Sequence, residues 1–334
     1  MKAFELSGVR IAGCGSCVPE KRLTNADLAG MMDTSDEWIR QRTGISERRV
    51  LDLDKGESQF GLATESLRNA LADANMQASD LDLIIHASVT SKMTCPSTAC
   101  RIAAELGAEP AGAFDLLAAC SGFVYALNVG EAMIRSGRYR SVGVIGCDAM
   151  STAVDYSDRS VAILFGDVAG AAVLVRDEDP NRGCLYQTLN ADGRMWPSLY
   201  IPDDESDLPV GVEDPGTRMG TLRMDGREVY KFAVGKFRDV IQDALNATGL
   251  SVDDVAQFVC HQSNVRIIAS AMDKLGLPKE KVYINIDKYG NSSAGSVGLC
   301  LDQLWKAGKI KQGDAIVLVA FGGGLTWASS VWRV

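Results

Sequence analysis

Five short stretches of the chain are continuously apolar and end in turn residues: LDLIIHAS (81–88), SVGVIG (141–146), AAVLV (171–175), AQFVC (256–260) and AIVLVAF (315–321). Strands covered on both faces read this way, because both sets of alternating side chains must be apolar. Between them, segments 60–76, 121–136, 229–248 and 264–275 carry apolar residues at helical spacing. Strand alternating with helix predicts an α/β fold with largely parallel strands. Segment 190–220, rich in Pro, Gly and Asp, reads as a long loop of the kind that carries function, and 31–58 as a similar polar excursion.

The pattern occurs twice. ALADANMQASDLDLIIHAS from Ala70 resembles ALNATGLSVDDVAQFVCHQS from Ala244, FDLLAACSG (114–122) resembles INIDKYGNS (284–292), and SVGVIGCD (141–148) resembles AIVLVAFG (315–322). Each copy follows its counterpart by about 170 residues, and ordered self-similarity of this kind predicts duplication. The halves are 1–175 and 176–334, each supplying a sheet with flanking helices. Functional loops then belong at the carboxyl ends of the strands.

Composition narrows the class. The 334 residues are 46% hydrophobic and 23% charged, ordinary for a globular protein with a sizeable core. No charged stretch precedes an apolar one at the start, and no apolar run approaches the roughly 20 residues of a membrane helix. A soluble, cytoplasmic protein is expected. A net charge of −9 argues against non-specific nucleic-acid binding. The nine cysteines are an odd number, and without a leader they read as reduced thiols. Cys14 and Cys17 form a lone CxxC with no second pair or histidine nearby, so packed thiols are expected there rather than a metal site.

Candidate chemistry concentrates at the strand ends. Cys120 follows AFDLL and precedes the helix-like SGFVYALNVGEAMIRSG, which puts its sulfur at a helix N-terminus. That position favours an anion and predicts a lowered thiol pKa, as a nucleophile needs. Position alone fits a small buried core residue equally well. His261, one of two histidines, comes directly after AQFVC. His86 follows LDLII one residue earlier in the repeat register and reads as structural. Asn291, in KYGNSSAGSVG, occupies the repeat position of the Cys120 junction, so the two would face each other across the centre. The small residues after it (Ser292, Ser293, Ala294, Gly295) suit a tightly packed buried helix, and this segment alone reads most simply as a packing motif. The glycines of FGGGLTW (321–327) let backbone approach a ligand. GxGxxG, GxSxG and GxxxxGK[ST] are absent, which weakens dehydrogenase, serine hydrolase and NTPase readings.

Six ordered segments carry a resemblance over nearly the whole chain: DTSDEWIRQRTGI (33–45), AACSGF (118–123), DRSVAILFGDVAGAAVL (158–174), HQSNVRII (261–268), YGNSSAGSVG (289–298) and FGGGLTW. They resemble the β-ketoacyl-acyl-carrier-protein synthase III family. The resemblance implies a thiolase-like duplicated αβαβα five-layer fold with two pseudo-twofold-related halves, and a homodimer. It implies decarboxylative condensation of an acyl-CoA primer with malonyl-acyl carrier protein, initiating fatty acid synthesis without cofactor or metal. Cys120, His261 and Asn291 would be catalytic, and the backbone N–H groups of Cys120 and Gly323 would form the oxyanion hole. Coenzyme A would be held by Thr34, Trp38, Arg42, Arg159, Gly226, Tyr230 and Asn264, with adenine sandwiched between Trp38 and the Arg159 guanidinium. An acidic carrier protein would meet Gln262, Arg266, Lys274 and Lys231, with Lys236 and Arg238 on the same rim, although such charges are also ordinary on solvated helices. The alternative is a related ketosynthase or acyltransferase of secondary metabolism with an unusual primer or acceptor. A non-catalytic subunit would typically lack the nucleophile.

Cys95, in TSKMTCPSTAC (90–100), stands where many relatives carry a phenylalanine that reaches into the partner subunit's acyl pocket. A smaller side chain should enlarge that pocket. Primers longer or more branched than acetyl should therefore load, and a panel of acyl-CoA thioesters showing acetyl-only loading would refute this.

Overall fold

The computed structural model describes residues 8–211 and 216–334. A first sheet contains β1 (Gly8–Cys17), β2 (Leu83–Ala87), β3 (Gly112–Leu116), β4 (Ser141–Ala149) and β5 (Asp167–Asp177). A second contains β6 (Gly183–Ala191), β7 (Val255–Cys260), β8 (Ala315–Gly322) and β9 (Thr326–Arg333). The strand orders are β1-β5-β4-β2-β3 and β6-β9-β8-β7. In both, the opening strand pairs antiparallel with the closing one, which pairs antiparallel with its own predecessor. The remaining neighbours are parallel. Beyond β7, Val282 makes a parallel bridge to Phe258, in the place β3 holds beside β2.

The expectation of largely parallel strands is corrected by these antiparallel pairs. An apolar-run criterion finds strands buried on both faces and passes over β1, β6 and β9. β6 is an edge strand whose residues alternate between covered and exposed. β1 is built from small residues because a helix lies directly on it: a Cβ at Gly13 would come 2.6 Å from Ala70 O, and one at Gly15 2.4 Å from Ser66 O. β5 runs on to Asp177, so it crosses the boundary expected after residue 175.

The main helices are α1 (Gln59–Asp73), α2 (Thr98–Leu106), α3 (Gly122–Arg135), α4 (Gly226–Thr248), α5 (Val265–Leu275) and α6 (Gly295–Lys306). Leu67 and Leu71 of α1 and Ile102 of α2 pack on the outer face of the first sheet, against Ile84, Ile145 and Val173. Phe237 and Ile241 of α4 and Ile268 of α5 cover the outer face of the second, against Phe258, Val317 and Val331. α3 and α6 fill the space between the sheets, where Phe123, Leu127, Val297 and Leu301 meet Val144, Leu174, Leu318 and Trp332. The result is the expected five-layer αβαβα stack. Cys14 joins the central layer and Cys17 the outer one. Three residues apart on one strand, they point to opposite faces and cannot chelate one ion. Among the described residues, no group of His, Cys, Asp or Glu is placed to hold a metal, and no helix is long and apolar enough to cross a membrane.

α6 crosses β5 at two glycines. A Cβ on Gly170 would lie 2.4 Å from the carbonyl carbon of Gly298, and one on Gly298 2.9 Å from Gly170. Gly170→Ala should cost about 1–3 kcal/mol through overpacking. Thermal unfolding should register a melting temperature several degrees lower, by about 2–4 °C per kcal/mol in a large domain; an unchanged value would mean that helix and sheet separate freely.

Candidate active site

After β3 the chain turns through Ala119–Ser121 before α3 begins at Gly122. Ala119 has φ +47°, a left-handed conformation that costs a residue with a side chain about 1–2 kcal/mol. The turn seats Cys120 ahead of the helix, buried at 8% exposure. The position is as expected, but the thiol is not acidified. Loss of water pushes its pKa up to about 12, and the Asp148 carboxylate adds to the rise. A hydrogen bond donated by Ser293 Oγ to Sγ, at 3.4 Å, opposes them. A helix N-terminus favours a thiolate, yet burial outweighs it here, and Cys120 rests as a neutral thiol.

The facing junction is held by backbone. Asn291 N–H donates to Leu164 O at 2.8 Å, and Asn291 O accepts from Gly166 N–H at 3.1 Å. Asn291 Oδ1 accepts from Ser293 N–H at 3.0 Å, which fixes which end of the amide meets the turn. Ser292, Ser293 and Ala294 lie in this turn, ahead of α6 rather than inside it, with Ser293 at φ +47°. Ala294 N–H donates to Asp148 Oδ2 at 3.2 Å. The other oxygen of Asp148 accepts from Val89 N–H at 2.8 Å, Ser88 Oγ at 2.9 Å and Thr90 Oγ1 at 3.0 Å. One buried carboxylate thus ties the 88–90 wall to the Asn291 turn.

His261 follows β7, and its N–H donates to Val319 O at 2.8 Å. Its ring Nδ1 lies 2.6 Å from Ser296 Oγ on α6, and the ring stands edge-on to Phe321 at 5.4 Å. Where Ser296 Oγ donates to Nδ1, the ring proton is left on Nε2. Burial lowers the imidazole pKa from its ordinary 6.5 to about 3, so the ring is neutral. His86, by contrast, is fully buried on β2, between Gln59 Nε2 at 2.8 Å and Asp115 Oδ1 at 3.2 Å.

Cys120, His261 and Asn291 line one cavity of about 610 Å³, with Ser293, Phe321 and Gly322–Gly324. That size suits a small-molecule site. A Cβ on Gly322 would lie 2.6 Å from Cys120 N, so only glycine lets the end of β8 run beneath the nucleophile. Gly226, Tyr230 and Asn264 line the cavity too, as do Leu199, Tyr200 and Ile201 from the expected loop. Within that loop Leu199–Tyr200 pairs with Arg223–Met224; residues 212–215 lie outside the described residues.

The 31–58 excursion adjoins the cavity at Asn264, which caps α5 and donates from Nδ2 to Arg42 O at 3.0 Å. Arg48 anchors the excursion to the body. Its buried guanidinium donates to Leu23 O, Asn25 Oδ1 and Ile163 O, at 3.1, 2.9 and 2.7 Å. Trp38 and Arg42 lie on the excursion's helix Asp36–Thr43, preceded by Thr34, whose Oγ1 is buried and unbonded. The Trp38 ring already carries two guanidinium groups, Arg42 at 4.6 Å and Arg159 at 4.9 Å. Arg159 Nη1 also donates to Asp33 O at 2.5 Å. A flat ring between Trp38 and Arg159 needs about 7 Å, two contacts of ~3.5 Å, so the expected sandwich is closed here.

Two segments of the chain match the family described as 3-oxoacyl-[acyl-carrier-protein (ACP)] synthase III: residues 114–193, and residues 245–334 for its C-terminal part. The chain is 48% identical to the β-ketoacyl-[acyl-carrier-protein] synthase III of Caldanaerobacter subterraneus subsp. tengcongensis, over 96% of each chain. It superposes on the crystal structure of 3-oxoacyl-[acyl-carrier-protein] synthase III from Aquifex aeolicus with a TM-score of 0.90, at 43% identity over 98% of this chain and 100% of that one. The chain belongs to the β-ketoacyl-acyl-carrier-protein synthase III family. As a member it is a condensing acyltransferase with a thiolase-like fold. It is also similar to the priming β-ketosynthase of the R1128 polyketide pathway, with a TM-score of 0.91 at 35% identity, over 100% of this chain and 98% of that one.

One residue expected to meet a carrier protein is not on the surface. Gln262 is buried at 1% exposure: its amide donates to Cys260 O and Tyr283 O, at 2.9 and 3.1 Å, and accepts from Asn285 N–H at 3.1 Å. All its hydrogen-bonding is spent inside the fold. Arg266 and Lys274 on α5 and Lys231 on α4 are exposed, with Arg266 5.7 Å over the Tyr230 ring. Lys236 lies 4.5 Å over Trp327, and Arg238 is held by Asp239 at 2.5 Å. Cys95 is exposed and does not line this chain's cavity.

Sequence reading missed Ser293, Ser296 and Asp148. Only Asp148 left a signal, as a carboxylate ending the apolar run SVGVIGCD. The buried, neutral state of His261 is measurable. The unfolded chain takes up a proton near pH 6.5 and the folded one only near 3, so this residue's contribution to stability falls as pH drops through that interval. Ring resonances of the two histidines, followed by NMR, should show one imidazole, assigned to His261 by its loss in His261→Gln, that does not titrate between pH 5 and 8. A midpoint near 6.5 for that ring would contradict its burial.

Proposed function

We propose that the chain performs decarboxylative Claisen condensation of an acyl-CoA primer, acetyl-CoA or a somewhat larger one, with malonyl-acyl carrier protein, through an acyl-Cys120 intermediate. The reaction would initiate fatty acid synthesis in the cytoplasm. The observation that carries this reading is the convergence of Cys120, His261 and Asn291 on one cavity.

The first half-reaction belongs to Cys120. Its sulfur attacks the primer thioester, and the backbone N–H groups of Cys120 and Gly323 receive the oxyanion. Coenzyme A leaves as the thiol, and the acyl group remains on Sγ. In the second, His261 Nε2–H and the Asn291 amide donate to the malonyl carbonyl oxygen. They stabilise the enolate that forms as carbon dioxide departs. A neutral imidazole serves here as a donor only. The carbanion attacks the acyl carbon, Cys120 is expelled, and the 3-ketoacyl product is released. Both substrates are thioesters, and no cofactor or metal enters these steps.

Recognition follows the same surface. Trp38 and Arg159 would clamp adenine once the guanidinium swings off the indole, with Arg42 and Thr34 beside them. Gly226, Tyr230 and Asn264 would line the pantetheine path. Arg266, Lys274 and Lys231 would face the carrier protein on the exposed sides of α4 and α5. The halves 1–175 and 176–334 would be related by a pseudo-twofold, a reading supported by the equivalent strand orders of the two sheets. A homodimer is supported by β3, an edge strand with β2 as its one sheet neighbour, followed by Leu117 at 79% exposure. The second reading, a priming ketosynthase of secondary metabolism, is favoured by the likeness to the R1128 enzyme.

Intact-mass analysis after incubation with an acyl-CoA should show one acyl adduct on the wild type and none on Cys120→Ala. Malonyl-acyl carrier protein should then discharge the adduct with release of carbon dioxide. An adduct persisting on Cys120→Ala, or discharge without carbon dioxide, would overturn the assignment.

A further inference from the structure

Ser293 stands against the nucleophile with no part in the steps above. Its hydroxyl donates to Cys120 Sγ at 3.4 Å, and Ser293 is 1% exposed. Its backbone is fixed on both sides, by its own N–H to Asn291 Oδ1 and by the next N–H to Asp148 Oδ2. The turn demands φ +47° at this residue, a conformation glycine adopts freely and a residue with a side chain resists. Here the position carries a side chain, and that side chain touches the reacting sulfur. The charged and titratable groups facing the sulfur do not help it. Asp148, at the end of β4, repels an anion, and His261, held neutral after β7, offers no cation.

We propose that Ser293 is a further catalytic residue, whose hydroxyl stabilises the Cys120 sulfur as an anion while the acyl group is passed to and from it. This rests on Cys120 being the nucleophile. In primer transfer the Sγ–H bond breaks, the bond from Sγ to the acyl carbon forms, and the bond from that carbon to the coenzyme A sulfur breaks. The proton that leaves Cys120 ends on the coenzyme A sulfur, and Ser293 keeps its own. Once Sγ is part of a thioester it is a poor acceptor, and the hydrogen bond weakens. When condensation later expels Cys120 as a thiolate, the same hydroxyl receives it. One donor therefore acts at both moments when the sulfur carries charge.

The test uses Ser293→Ala, which retains the backbone strain, and Ser293→Gly, which relieves it; both remove the hydroxyl. Single-turnover loading of an acyl-CoA, read by quenched intact mass, should slow roughly 10- to 100-fold in both variants, the range expected for a hydrogen bond to a charged group. Alkylation of Cys120 by iodoacetamide at pH 8, located by peptide mass spectrometry, should slow by a similar factor. Wild-type loading by Ser293→Ala would overturn the proposal. So would fast loading by Ser293→Gly beside slow loading by Ser293→Ala, since the turn and not the hydroxyl would then matter. Loading of Cys120→Ala would instead remove the nucleophile assignment, and with it this proposal. That outcome is distinct from slow loading at Cys120.

Discussion

The active-site turn reaches the nucleophile because backbone meets backbone where α6 sits on the first sheet. A Cβ on Gly146 would lie 2.3 Å from Ala294 O, and one on Gly295 2.3 Å from Val168 O. With the crossing of Gly170 and Gly298, these contacts bring the start of α6 closer to β4 and β5 than side chains would allow. The Asn291–Ala294 turn is thereby delivered to Asp148 and Cys120, and Ser296 to His261. A helix held off by side chains would leave the Asn291–Ala294 turn short of Asp148 and Cys120.

The closeness sets the electrostatics. Little water reaches the central layer, so ionisation there is suppressed: the thiol is pushed up and the imidazole down. The resting site holds hydrogen-bond donors rather than formal charge, apart from Asp148, whose oxygens accept from Ser88, Val89, Thr90 and Ala294. Donors fixed in a dry site stabilise a charge that appears only during reaction, with little reorganisation at that moment. The excursion bearing Trp38 follows another logic. Arg48 is buried there among carbonyl and amide acceptors, and its guanidinium pKa falls to about 10. Its three bonds, together with Ile39 and Ile45 packed against Ile163 and Ile286, hold the segment against the body.

Much of this was legible along the chain, and what was not has physical reasons. The five apolar runs became strands because each is covered on both faces. β6 escaped because it is an edge strand, β1 because glycine under a helix removes the apolar run, and β9 because the buried Ser329 and Ser330 interrupt it. The duplication alone puts Asn291 opposite Cys120. The acidity expected of Cys120 failed because helix position is local and burial is tertiary. Gln262 was expected to meet the carrier protein from the resemblance alone, yet its amide is bonded to Cys260, Tyr283 and Asn285. Ser293 passed as packing because smallness is visible in sequence and a left-handed φ is not. The stacking of Arg159 on Trp38 joins residues far apart in the chain, which no local pattern reveals.

Ala119 and Ser293 share an unusual circumstance. With Asn75 they are the residues other than glycine that have positive φ among those described; Ala119 precedes Cys120 in the chain, and Ser293 donates to its sulfur. A chain selected for stability alone would place glycine at both. Instead the strain is concentrated within one residue of the nucleophile on one side and in contact with it on the other. The rest of the fold must be stable enough to hold two locally unfavourable turns in register. Gains in robustness sought in these two turns would therefore trade against activity.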